Sequence, residues 1–312
     1  MNRSAFIASS CAVFAAGPVS AQTSTPVLRV GANLFDSFAS SLYANDMGFF
    51  TRNGLNAEVR VVGNGAAEAA AVAAGSLDIG ISTPDRIASA YEHGIPFVII
   101  AEGQLSTDKV RDNALCVAQS SPIRTPKDLE GKTVATNSIG GMTQLGIDAW
   151  LAKGGADFSK VKFFELNYNE MGPSLDRGTI QAAIISEPAL TQALRQNAIR
   201  VLANPDSSIG PQFPNSVWFA QREFAQKNGD AVSRFCRAIY AAQQWANTHL
   251  SERATILAKY TKIDINVAHA LVYSPFAERL NIADIQPIFD LAAKFQTIPR
   301  PLAATEVVFQ SP

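Results

Sequence analysis

An apolar run that ends in two hydroxyls and then a proline constrains this chain more than any other feature. Residues 75–85 read Gly-Ser-Leu-Asp-Ile-Gly-Ile-Ser-Thr-Pro-Asp. An Ala-rich helical pattern runs into Gly75. The apolar run at 77–81 predicts a short buried strand, and Pro84 suits the first turn of a new helix, where its missing N–H removes no bond. Ser82 and Thr83 therefore fall between the carboxyl end of a strand and the amino end of a helix. α/β folds hold ligands at such points, because unpaired backbone N–H groups and the helix dipole converge there. A plain N-cap role for Ser82 is the simpler reading of this junction taken alone.

The junction does not stand alone. Val30-Gly31-Ala32-Asn33 is echoed by Val134-Ala135-Thr136-Asn137, 104 residues on, and Gly75-Ser76-Leu77 by Gly178-Thr179-Ile180, 103 on. Ser82 is matched by Ser186, again 104 residues later. Three matches in order, each at a strand end, predict two lobes built alike. They also favour ligand contact at Ser82 and Thr83, with a capping role kept beside it.

Around these anchors strands alternate with helices. Strands are expected at 27–32, 58–62, 77–81, 95–101, 114–118, 132–135, 161–166, 180–185 and 199–203. Helices are expected at 37–50, 65–74, 84–92, 142–153, 170–176 and 188–195. Such alternation predicts an α/β fold of two lobes, each a largely parallel sheet flanked by helices. Residues 103–113 read as a crossing segment. Pro205, Pro211 and Pro214 end the pattern, 216–220 looks like a strand crossing back, and the rest is helical. The 230–250 helix carries Phe235, Ile239, Ala242 and Trp245 near one stripe, and Ser251 is expected to cap the next. The expected division is 1–21 a leader, 22–110 the first part of lobe 1, 111–212 lobe 2, and 213–312 a return to lobe 1 with C-terminal helices.

Arg3, the apolar 5–16 and Val19-Ser20-Ala21 predict a cleaved secretory signal peptide, with Gln22 first in the mature chain. The expected location is the periplasm. The net charge of −1 gives no reason to expect nucleic acid or an anionic membrane. Of the three cysteines, Cys11 leaves with the leader, and Cys116 and Cys236 are expected as buried thiols. His93, His249 and His269 lie near no candidate nucleophile in sequence, and no glycine-flanked serine elbow, zinc spacing or nucleotide fingerprint is present. No catalytic residue, metal or cofactor is expected.

If the two lobes face each other, their strand ends converge on one cleft. Asn33, Phe35, Asn64, Ser82 and Thr83 would line it from the first lobe, and Asn137, Ser138, Gly141, Met142, Ser186 and Glu187 from the second. Loop-forming roles compete for the asparagines. Gly140-Gly141 is read as gathered backbone N–H groups before a helix. Glu187 suits a helix start whether or not it meets ligand. These loops hold no Arg or Lys, which weakens an inorganic anion as the ligand.

The chain also resembles a known family over nearly all of its mature length. Ala74-Gly75-Ser76-Leu77-Asp78-Ile79-Gly80-Ile81, Gly94-Ile95-Pro96, Ile123-Arg124-Thr125-Pro126-Lys127-Asp128-Leu129-Glu130-Gly131-Lys132, and Gly178 with Glu187-Pro188 carry the likeness. It is similar to periplasmic solute-binding proteins of ABC importers, in the nitrate/sulfonate/taurine and thiamine-precursor (NMT1-like) group. One departure is Gln181-Ala182 where the family commonly has Asp-Ala. The resemblance implies a two-lobed periplasmic-binding-protein fold (type II), a small-molecule ligand in the cleft, a monomer, and docking on an ABC permease. It implies capture of a sulfonate- or carboxylate-like anion or amphoteric molecule, with no chemistry done. Alternatives are a thiamine-precursor pyrimidine held by Glu187 and Phe35, a ligand-sensing subunit, or an enzyme of the pyrimidine-synthase type. The last needs a cysteine-rich segment that this chain lacks.

Overall fold

The structure is a computed structural model and describes residues 26–63, 65–110 and 112–310. The expected leader and Asn64 lie outside the described residues. Two five-stranded sheets carry the fold. The first holds β1 (Val27–Ala32), β2 (Asn56–Val61), β3 (Ile79–Ser82), β4 (Phe97–Glu102) and a late strand, Val217–Gln221. Between them in sequence come β5 (Leu105–Thr107), β6 (Asn113–Ala118), β7 (Thr133–Thr136), β8 (Lys162–Glu165), β9 (Ala182–Ser186), β10 (Ile199–Ala203) and β11 (Gln212–Pro214), so the late strand is β12. The first sheet runs β2-β1-β3-β12-β4 and the second β10-β6-β9-β7-β8.

Read from opposite ends, the two orders superpose. β2, β1 and β3 correspond to β8, β7 and β9, and antiparallel β12 corresponds to antiparallel β6. Register agrees as well: Val30 pairs with Val59 and Ile79, and Val134 with Phe163 and Ala182. The short sequence echoes are therefore the surface of a structural repeat. Gly75 and Gly178 occupy matching left-handed turns, with φ of 71° or just below, before the third strand of each sheet.

Two chain crossings join the lobes. The segment expected only to cross, 103–113, contains β5, which pairs antiparallel with β11 in the returning segment through Leu105–Pro214 and Thr107–Gln212. β12 then enters the first sheet between β3 and β4. Its period-2 alternation feeds both faces. Val217 and Phe219 join a cluster with Phe289, while Trp218 and Ala220 join one with Phe235 and Ile239 of the Gly229–Thr248 helix. Each such large, fully buried apolar side chain contributes roughly 1.5–3 kcal/mol. This alternation docks the C-terminal helices on the first lobe.

Some boundaries differ from expectation for local reasons. The single helix expected at 37–50 is a 3-10 turn (Asp36–Phe38) and two short helices, Ser40–Asp46 and Phe49–Arg52, because Gly48 turns left-handed between them at φ 71°. The helix after Thr248 begins at Leu250 with His249 at its cap position, so Ser251 is inside it. Cys116 is buried in the second sheet and Cys236 half-buried on the first lobe; they form no disulfide. Among the described residues no helix is long and apolar enough to cross a membrane.

Glu102, at the end of β4, is buried with Oε1 accepting from the Asn281 amide at 3.0 Å. Burial pushes its carboxyl up to about 8. A raised acid contributes stability that is full below its unfolded value and is lost as pH rises through the folded one. Between pH 5 and 8 wild type therefore loses about 1.4 kcal/mol per pH unit relative to Glu102→Gln. Urea unfolding of both proteins at pH 5.5 and 7.5 tests this. A difference that does not change with pH removes the assignment.

Candidate ligand site between the lobes

The cleft-facing ends of the sheets follow from the topology. β3 ends at Ser82, paired with Val217, and β9 ends at Ser186, paired with Asn113. Ser82 is fully buried and its Oγ has no hydrogen-bond partner. Thr83, not Ser82, occupies the cap position of the Pro84–Glu92 helix, and its side chain makes no cap bond. Its Oγ1 is buried near Asp85 yet outside hydrogen-bonding geometry. The expected capping role is therefore corrected for both hydroxyls. A buried polar group left unpaired costs about 1–3 kcal/mol, which a ligand at this point can recover. The start of the Gly65–Ala73 helix closes on the same place, since a Cβ on Gly65 would stand 2.9 Å from Ser82 Oγ.

The second lobe reaches this corner through the loop after β7. Arg86 Nη2 crosses the cleft and donates to Ser138 Oγ at 2.7 Å. Beside the pair lies a cavity of about 180 Å³ lined by Asp85, Arg86, Ser89 and Thr297 from the first lobe and its C-terminal helices and by residues 138–141 from the second; Ser82 and Thr83 do not line it. Burial raises the Asp85 carboxyl, opposed by the Thr83 hydroxyl and the Arg86 charge. The strand-end loops hold no Arg or Lys, as expected from the sequence, but Arg86 supplies a cation from the first turn of the helix that follows them. Pro84 opens its helix, so Arg86 is the third helical residue and stays within the turn that faces the cap.

Other expected contacts are committed elsewhere. The Gly140 amide donates to Gln144 Oε1 at 2.8 Å and the Gly141 amide to the Ser138 carbonyl at 3.2 Å. The gathered N–H groups expected there are thus used within the loop. Met142 is buried among Leu145, Ile285 and Phe289, as an apolar core residue rather than a ligand contact. Asn137 is exposed and its Oδ1 accepts from Thr143 Oγ1 at 2.8 Å. Asn33 is buried and its Oδ1 accepts from the Phe35 amide at 2.9 Å, a loop-forming bond.

Those bonds place Phe35, 45% exposed, against Tyr168 of the second lobe, edge to face with ring centroids 6.2 Å apart. Tyr168 begins the Tyr168–Asp176 helix, and burial raises its phenol to about 12, opposed by the Ser186 hydroxyl. Glu187 accepts from Thr191 Oγ1 at 2.7 Å and from the Thr191 amide at 3.2 Å, so its carboxylate serves its own helix. Burial raises it nonetheless. Nearby, burial lifts Asp112 to about 7, opposed by the Ser274 hydroxyl and reinforced by Asp206 and Asp36.

The strand–helix junction of the first lobe thus carries Ser82, Thr83, Asp85 and Arg86, with Arg86 bonded to Ser138 of the second lobe, and an aromatic pair, Phe35 and Tyr168, also spans the lobes. No histidine belongs to either: His93 bonds the Ser89 carbonyl and His249 stacks on Trp245. The arrangement can hold an anion by charge and hydrogen bonds.

Known proteins share this architecture. The periplasmic aliphatic sulphonate binding protein SsuA of Escherichia coli superposes with a TM-score of 0.77 at 21% identity, over 93% of this chain and 94% of that one. SsuA of Xanthomonas axonopodis pv. citri, solved bound to MOPS, gives 0.73 at 19% identity, over 92% and 99%. A Brucella abortus protein named as a binding protein is 27% identical over 85% of this chain and 80% of its own. The family model described as NMT1/THI5 like matches residues 36–252. That span runs from Asp36, just past β1, through the other strands of both sheets into the C-terminal helices, and the chain belongs to the NMT1/THI5-like family.

Proposed function

We propose that this protein is a solute-binding subunit that captures a small organic anion, sulfonate- or carboxylate-like, and delivers it to an ABC importer. One observation carries the reading. Arg86 reaches across the cleft to a hydroxyl instead of a carboxylate, from the same strand–helix junction that carries two buried hydroxyls with no partner, Ser82 and Thr83. A guanidinium and hydroxyls from facing lobes suit a tetrahedral or planar oxyanion that bridges them, and domain closure follows from that bridging. The names of the SsuA structures support a sulfonate. In this reading the N-terminal leader sends a monomer to the periplasm, taurine-like amphoteric sulfonates are among the candidates, and no bond is made or broken.

A second reading, a thiamine-precursor pyrimidine, draws on the Phe35–Tyr168 aromatic flank. It loses the acidic partner it needs, since Glu187 is engaged by Thr191. A thermal-shift screen of alkanesulfonates, aliphatic carboxylates and aminopyrimidines separates the two. Stabilisation by sulfonates or carboxylates is expected, by about 2.7 kcal/mol at a hundred times the dissociation constant. A response to pyrimidines alone reverses the order, and turnover of any compound removes the binding role.

A further inference from the structure

Glu68 is the one charged residue type in the Ala-rich Gly65–Ala73 helix, and it points inward, 0% exposed. Its Oε2 accepts from the Ile81 amide at 2.8 Å. Its Oε1 is buried without a hydrogen-bond partner. A Cβ on Gly31 would stand 2.4 Å from Oε2, so glycine is required at that point of β1 to make room for the carboxyl. One side chain therefore touches the two strands that end at Ala32 and Ser82, from the first turn of the helix whose Gly65 closes on Ser82 Oγ.

Among the described residues no cation pairs with this group. The helix carries no other titratable residue, and β3 and β12, which pack against it, carry none. β1 carries only Arg29, whose guanidinium is taken by Asp78 and the Gly75 carbonyl. An ionised Glu68 would be an uncompensated buried charge one residue away from the hydroxyl corner.

We infer that Glu68 is a positioning residue whose proton is linked to ligand binding: as a neutral acid it ties together the helix start and the ends of β1 and β3, and once ionised it repels the anion held at Ser82 and Arg86. The inference rests on the anion-binding role given to that corner. Burial lifts the carboxyl to about 8, so the group ionises in the mildly alkaline range. A bound anion raises it further, because two negative charges in one desolvated corner repel. Linkage then requires proton uptake on binding just above pH 8 and an affinity that declines as pH rises.

The test is calorimetric titration of ethanesulfonate and butyrate into wild type and Glu68→Gln, from pH 7 to 9.5, in Tris and in borate. Wild-type affinity is expected to fall about tenfold across this range, with net proton uptake near pH 8.5 read from the difference between buffers. Glu68→Gln keeps the neutral shape and is expected to bind with a flat profile and no uptake. Wild type alone decides the matter if the variant fails to fold. Binding with no uptake near pH 8.5, or the same pH profile in both proteins, overturns this inference and leaves the anion site standing. Failure of either anion to bind at any pH overturns the reading of the site and this inference with it.

Discussion

Replacing Arg86 by methionine is expected to lower the affinity for a short alkanesulfonate by about ten- to a hundredfold, the equivalent of losing one charged hydrogen-bonding partner worth roughly 1.5–3 kcal/mol. The fold should survive, because Arg86 sits at a helix start and bonds only Ser138 across the cleft. Ser138→Ala removes a neutral partner and should cost less, about 1 kcal/mol or fivefold. Salt separates charge from shape. Wild-type affinity should weaken with ionic strength, and the Arg86→Met variant should have lost most of that dependence. Calorimetric titration at two salt concentrations reads both effects. Equal affinity in Arg86→Met and wild type would move the anion away from this corner, and with it the main support for the functional reading.

Arg253→Met is expected to destabilise the protein by about 3–5 kcal/mol, as breaking a buried ion pair does when the partner charge stays behind. The Arg253 side chain is 1% exposed and pairs with Asp36, donating from Nε at 3.0 Å and again from Nη2. The same guanidinium donates to the Ser274 carbonyl at 3.0 Å and lies 4.3 Å over the Phe276 ring. Asp36 also accepts from Tyr43 and Gln104, each at 2.7 Å. Arg253 therefore fastens the Phe35 loop and the 273–276 segment to the C-terminal helices. Urea unfolding measures the loss. Adding Asp36→Asn to Arg253→Met should recover part of it, since the stranded charge is gone. A loss below about 1 kcal/mol in the single variant would show that the pair contributes little beyond solvating itself.

The backbone placement of the candidate site is legible in the sequence. Ser82 and Ser186 end equivalent strands because in each lobe a left-handed glycine precedes a continuous apolar run that stops at a hydroxyl and a proline-led helix. The side chains were another matter. Met142 looked like a helix-start contact, but the second lobe packs it on Ile285 and Phe289, from a helix 140 residues later. Gly140 and Gly141 looked like open amides, yet Gln144 and Ser138 had already claimed them. Arg86 falls inside an expected helix and Tyr168 in the short stretch between an expected strand and helix, and only the docking of one lobe on the other brings either to a shared wall.

By itself the sequence determined the alternation of strands and helices, the repeat at an offset of 103–104 residues, and the junction at 75–85 with its twin at 178–188. The alternation and the junctions are local matters of period, turn and helix start, each written within a dozen residues, and the repeat is the same local pattern written twice. The tertiary structure decided which hydroxyls stay unpaired, that a guanidinium crosses to Ser138, and that Glu68 is sealed between two strands with no cation paired to it among the described residues. These depend on contacts between residues about fifty or more positions apart or on burial from every side. No local pattern encodes them, because desolvation and charge pairing are set by whatever the fold brings near.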